Sequence, residues 1–234
     1  MSYFDKEIGL GIDEGEDTET SKAGLESQLV AIEDRLNELG EAGDPVQVAI
    51  AKLQMARIKI GLDQHKEAYE IARGLFDELI AAQQWELATD ACDVMFLSEQ
   101  DNALIALGHA VWLAVTYPID PELTVGVLQH IIDETPDDAD GAAVAAATAI
   151  YIAELRSEGK QRDNLLFFTN QMLGAVARRH SEVESNEQFN FWIEKMELND
   201  PSKILVRLRN VVDVLVQEDW WIDRDALQQT LPVN

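Results

Sequence analysis

The chain has 234 residues, of which 47% are apolar, enough for one large domain or a run of repeats with a small appendage. Eighteen basic side chains stand against forty-four acidic ones, a formal charge of −26 that repels nucleic acid and anionic membrane and favours basic partners. Solubility or adaptation to a salty cytoplasm would give the same total, but a general salt adaptation would spread the acid more evenly than this chain does.

Residues 1–20 combine glycine and acid with few large apolar side chains and are expected to form a flexible acidic arm. Gly9, Gly11 and Gly15 do not make a phosphate loop, because no strand precedes them and Asp13, Glu14, Glu16 and Asp17 would repel the phosphate. The arm also has acid where a signal peptide needs base, and the longest apolar run, Ala142 to Ala153, is too short and too alanine-rich to cross a bilayer, so a cytoplasmic protein is expected. Thr20 or Ser21 suits the cap of a first helix, whose stripe of Leu25, Leu29, Ile32, Leu36 and Leu39 has helical spacing.

Gly40 and Gly43 end that helix, and Asp44-Pro45 starts the next, with Asp as cap and Pro where its missing N–H costs nothing. It runs to Ile60 and is expected to break at Gly61. Further helices are predicted from about Gln64 to Ala82, from Trp85, and from Asp101 or Asn102 to Tyr117-Pro118. Asp120-Pro121 repeats the Asp-Pro start, and Thr135-Pro136 leads into an acidic loop ending at Asp140. Ala142 to Leu155 has small residues on every side, as in a helix packed between neighbours. Helices near 163–180, 186–197 and 202–217 follow, then Asp219-Trp220-Trp221 and a short helix from Asp223. No segment reads as a strand. The expectation is an all-α chain of around ten helices in three parts: the arm, an acidic helical region over 21–157, and a C-terminal helical region with a capping tail over 158–234.

Ala56, the turn Gly61-Leu62-Asp63, Ala68 and Ala72, together with Leu107-Gly108, resemble the small-residue contacts and turns of the tetratricopeptide repeat over about residues 45–155. The pattern departs from that family at Trp85, Ala88 and Cys92, which come twenty residues after Ala68 and not one full repeat later. The resemblance implies a right-handed α-solenoid of stacked antiparallel hairpins, serving as a scaffold or adaptor that holds a peptide or protein in a concave groove.

From Gly74 to Leu155 there are fifteen carboxylates and no Lys or Arg, while ten of the eighteen basic residues follow Leu155. This segregation favours a directed field, with Asp90, Asp93, Asp133, Glu134, Asp137 and Asp138 as the expected contacts to a basic protein partner. The motifs His-Glu-x-x-His, Gly-x-Ser-x-Gly, Cys-x-x-Cys and paired Glu-x-x-His are missing, so a non-enzymatic role without a cofactor is expected. The rival is a helical enzyme or metal-handling protein with a cleft near His130, which shares a helix face with Glu134. Cys92 is alone on an apolar face and reads as a core residue; His65, His109 and His180 read as ordinary packing or surface residues. Trp220 and Trp221 have two readings, a lid over the apolar end of the stack or an aromatic docking site for a partner. Leu227 and Leu231, which continue an apolar face behind them, favour the lid.

Overall fold

The computed structural model describes residues 16–40 and 42–229; residues 1–15 of the expected arm lie outside them. The described residues contain eleven helices and no strand: α1 (Glu16–Leu39), α2 (Pro45–Gly61), α3 (His65–Ala81), α4 (Trp85–Leu97), α5 (Ala103–Thr116), α6 (Pro121–Glu134), α7 (Asp140–Arg156), α8 (Gly159–Ser181), α9 (Asn186–Lys195), α10 (Pro201–Val216) and α11 (Arg224–Gln229). Helix α1 starts ahead of the expected cap at Thr20 or Ser21. None of the helices is long and apolar enough to cross a membrane.

Proline marks three helix starts, at Pro45, Pro121 and Pro201. Asp120 accepts from the Glu122 N–H at 2.7 Å, and Asp200 accepts from the Ser202 N–H at 3.0 Å, so two of the three are capped by the preceding Asp side chain. Helix α9 begins with a reciprocal capping box between Ser185 and Gln188. Gly61 does not break α2 as expected but remains its last residue, where an added Cβ would lie 2.9 Å from Leu25 Cδ1 of α1. The chain turns at Asp63 instead, and at Gln83 and Glu99 after the next two helices, all three in the left-handed conformation. The N–H groups of Gln64 and Gln84 then reach back to the carbonyls of Lys59 and Leu79 at 2.8 and 2.9 Å, closing the helix ends without glycine.

These short turns fold each helix from α1 to α8 against the next, while α2 also touches α4 and α6 touches α8. Helices α2, α4, α6 and α8 form one row, with α4 joined to α6 through Asp93 and His130, and α3, α5 and α7 lie in a second, with Phe76 against His109 and Arg156 against Ala114 as the links. Helix α10 folds back onto α5 and α7. The core runs through both rows, with Phe76, Met95, Leu107, Leu113, Leu128 and Ile131 fully buried. Each such side chain contributes roughly 1.5–3 kcal/mol by leaving water. Ala142 to Ala149 are all buried, because α7 has α6, α8 and α10 around it and only small side chains fit there.

Gly108 makes the seat for α10: a Cβ at this position would lie 2.3 Å from Val216 Cγ2, a buried β-branched side chain with no room to turn aside. An alanine in mid-helix ordinarily stabilises by about 1 kcal/mol relative to glycine. Here Gly108→Ala is expected to reverse that sign and cost about 1–3 kcal/mol through overpacking, read as a lower denaturant midpoint at unchanged slope.

Candidate functional site

The fold answers the one-sided charge of the middle segment by bringing cations from outside it. Arg57 of α2 pairs with Asp90 and Asp93, Arg73 of α3 with Asp77, Arg179 of α8 with Asp137, and Arg207 of α10 with Asp140. Two of these arginines, Arg179 and Arg207, also close helix ends, as does Arg156. Arg156 donates to the carbonyls of Ala114 and Val115 at 2.6 and 2.8 Å, Arg179 to that of Ile132 at 2.6 Å, and Arg207 to that of Met196 at 2.6 Å. Cations at C-terminal carbonyls also oppose the helix dipole. The basic C-terminal third is thus partly an internal counter-charge, and the sequence segregation is not wholly an outward field.

Asp93 corrects the expected contact surface, because its side chain has 0% exposure. It bridges three helices: its Oδ2 accepts from Arg57 Nη2 at 2.6 Å and its Oδ1 from His130 Nε2 at 3.0 Å. Burial alone would push this carboxyl up; the Arg57 charge and the hydrogen bond and charge of His130 outweigh it and hold it well below the usual carboxylate range. Asp90, one turn earlier, shares the same guanidinium and is only part-exposed. Arg57, Asp93 and His130 each sit one turn before the end of α2, α4 and α6, and their spacings of 36 and 37 residues mark equivalent levels of adjacent hairpins.

The same geometry bears on the rival near His130. Its Nε2 turns inward to Asp93 and not along α6 to Glu134, and the Arg57 cation occupies the other side of that carboxylate. Asp133 accepts from Gln129 Nε2 at 2.7 Å. No group of three or more His, Cys, Asp or Glu side chains among the described residues is arranged to hold a metal ion. Burial pushes the Cys92 thiol well above its ordinary value, which leaves it without thiolate character.

The other four expected carboxylates come together. Asp133, Glu134, Asp137 and Asp138 are all exposed around the turn from α6 to α7, where Arg179 approaches only Asp137, at 3.6 Å. Because α2, α4 and α6 run side by side with their C-terminal ends level, the turns that follow them share one edge. Asp63, Glu99 and Asp101 are exposed on the two neighbouring turns. Seven carboxylates thus line this edge, and among the described residues a basic side chain is in ion-pair distance of only two, His65 of Asp63 at 4.0 Å and Arg179 of Asp137.

The tail folds over the α3/α5 face. Trp221 stacks on His109 at 4.6 Å and 17°, meets Phe76 edge-on at 5.8 Å, and has the Arg73 guanidinium 5.0 Å from its ring. Trp220 meets Trp112 edge-on at 6.3 Å and lies under Arg224 at 3.8 Å. Both indoles are part-buried. His109, read from sequence as unremarkable, is fully buried beneath them. Trp221 N–H donates to its Nε2 at 3.0 Å while its Nδ1–H donates to the Ile105 carbonyl at 2.8 Å, which fixes one neutral tautomer. The Asp-Trp-Trp run was the sequence signal for this contact, but nothing in the sequence paired it with a histidine 112 residues away.

Comparison of the chain with family models, with curated proteins and with solved structures finds no match.

Proposed function

We propose that this protein is a non-enzymatic scaffold, adaptor or assembly factor. In this reading its paired helical rows are a tetratricopeptide-like solenoid, and its acidic edge recognises a basic protein surface or segment. The observation that carries the reading is the gathering of Asp63, Glu99, Asp101, Asp133, Glu134, Asp137 and Asp138 on successive turns of one edge, with few cations beside them. Elsewhere the fold supplies Arg57, Arg73 and Arg207 to individual carboxylates; at this edge it leaves most of the charge to solvent. An exposed row of one sign steers an oppositely charged partner and disfavours nucleic acid and anionic membrane.

Binding of this kind is expected to weaken steeply as salt rises from low to several hundred millimolar, because exposed charges are screened over about 8 Å at physiological ionic strength. A titration of partner affinity against salt tests it, and an affinity flat in salt excludes a charge-driven contact.

A further inference from the structure

Outside the acidic edge, the most unusual contact is between the tail and His109. The tail leaves α10 at Gln217, whose φ of 55° and ψ of −120° cost energy for a residue other than glycine. Residues 217–219 are exposed, and α11 beyond them has no buried residue. The docked position is therefore held by the two indoles, by Arg224 bound to Asp213 of α10 at 2.8 Å, and by the Trp221 N–H on His109, not by the hinge. A cleft of about 410 Å³ runs between α3 and the tail, lined by Asp77, Ile80, Trp221, Ile222 and Leu227, so the seam between the two is incompletely filled.

We propose that the tail from Glu218 to Gln229 is a releasable latch, hinged at Gln217, and that a proton on His109 releases it. The chemistry is local. Nδ1 already carries a hydrogen and bonds Ile105, so a second proton must go to Nε2, the atom that accepts from Trp221 N–H. Two N–H groups would then point at each other, and a buried imidazolium would sit beneath an indole. The charged groups acting on His109 are Arg73 from α3, Asp219 from the tail and Arg224 from α11; α4, α6 and α10, which also pack on α5, contribute none. The two arginines oppose a further cation and Asp219 favours it. Burial is the larger influence and, with the arginines, brings His109 down from 6.5 to about 4. Release would expose Phe76, Trp112 and His109 together, an aromatic face on α3 and α5 that the latch otherwise covers.

Hydrogen exchange on the full chain tests this, with rates corrected for the intrinsic effect of pH. From pH 7 to pH 5 the opening equilibrium of tail amides 219–229 should rise roughly 20-fold, from titration of His109 near 6.5 when undocked and about 4 when docked. Amides of α5 and α7 should keep their protection. His109→Gln, which leaves an acceptor near Nε2 but binds no proton, should hold tail opening constant over the same range. A wild-type tail whose opening is unchanged from pH 7 to pH 5, or one that opens only together with α5, overturns the proposal. So does an equal pH response in His109→Gln. If that variant does not fold, the NMR titration of His109 in the wild type decides: it must coincide with tail opening, and a tail that opens without it overturns the latch.

Discussion

Replacing Arg57 with alanine is expected to destabilise the protein by about 3–5 kcal/mol, the usual cost of removing one partner from a buried ion cluster. The change strands the Asp93 carboxylate, which has no exposure and bridges α2, α4 and α6. The cost is the desolvation of a buried carboxylate that keeps its hydrogen bond to His130 but loses the guanidinium. Asp93→Asn should cost less, because Arg57 keeps Asp90. The pH dependence follows from the depressed carboxyl: its contribution is complete above the unfolded value near 3.8 and is lost as pH falls further toward the native value. Equilibrium denaturation of the two variants across pH 3–7 checks both statements. An Arg57→Ala variant within about 1 kcal/mol of wild type would mean that the three hairpins are held in register by packing alone.

The second large effect concerns Trp221. Its alanine variant is expected to lose about 2–3 kcal/mol, less than the roughly 3–5 kcal/mol of a fully buried large aromatic, because the indole is only part-buried. Lost with it are the stack on His109, the edge contact with Phe76 and the Arg73 cation over the ring. For a chain of this length the melting temperature should fall by roughly 5–10 °C. Trp220→Ala should behave alike, since it removes the contacts with Trp112 and Arg224. Single variants with unchanged stability would favour the docking reading of the tail and make its indoles available to a partner.

Most helices were legible because their signals are local. Asp-Pro starts at Pro45 and Pro121 and the apolar stripes of α3 and α10 need no tertiary knowledge. Gly61 misled because a glycine can serve packing as well as turning, and the left-handed residue was Asp63. The charge reading was incomplete for a related reason. Residue order shows that Gly74 to Leu155 lacks cations, but not that Arg57, Arg156, Arg179 and Arg207 reach into it across 33 to 67 residues. Asp93 and Asp133 look alike in sequence, yet one faces α2 and α6 while the other faces solvent. The level spacing of Arg57, Asp93 and His130 was present in the sequence but meant nothing before the helix ends were fixed. His109 was illegible because its partner is a backbone N–H.

The acidic edge is tested most directly by charge neutralisation at constant fold. The variant Asp133→Asn, Glu134→Gln, Asp137→Asn, Asp138→Asn removes four exposed carboxylates from the turn between α6 and α7. Its control carries four neutralisations at the opposite edge, including Glu78→Gln and Glu154→Gln, which lie near the C-terminal ends of α3 and α7. Both should melt close to wild type, as exposed surface substitutions do. In affinity capture from native lysate at low salt, with mass spectrometry, wild type and control are expected to retain the same basic proteins and the edge variant to lose them. Retention of the same partners by the edge variant, or their equal loss from the control, would contradict recognition at this edge.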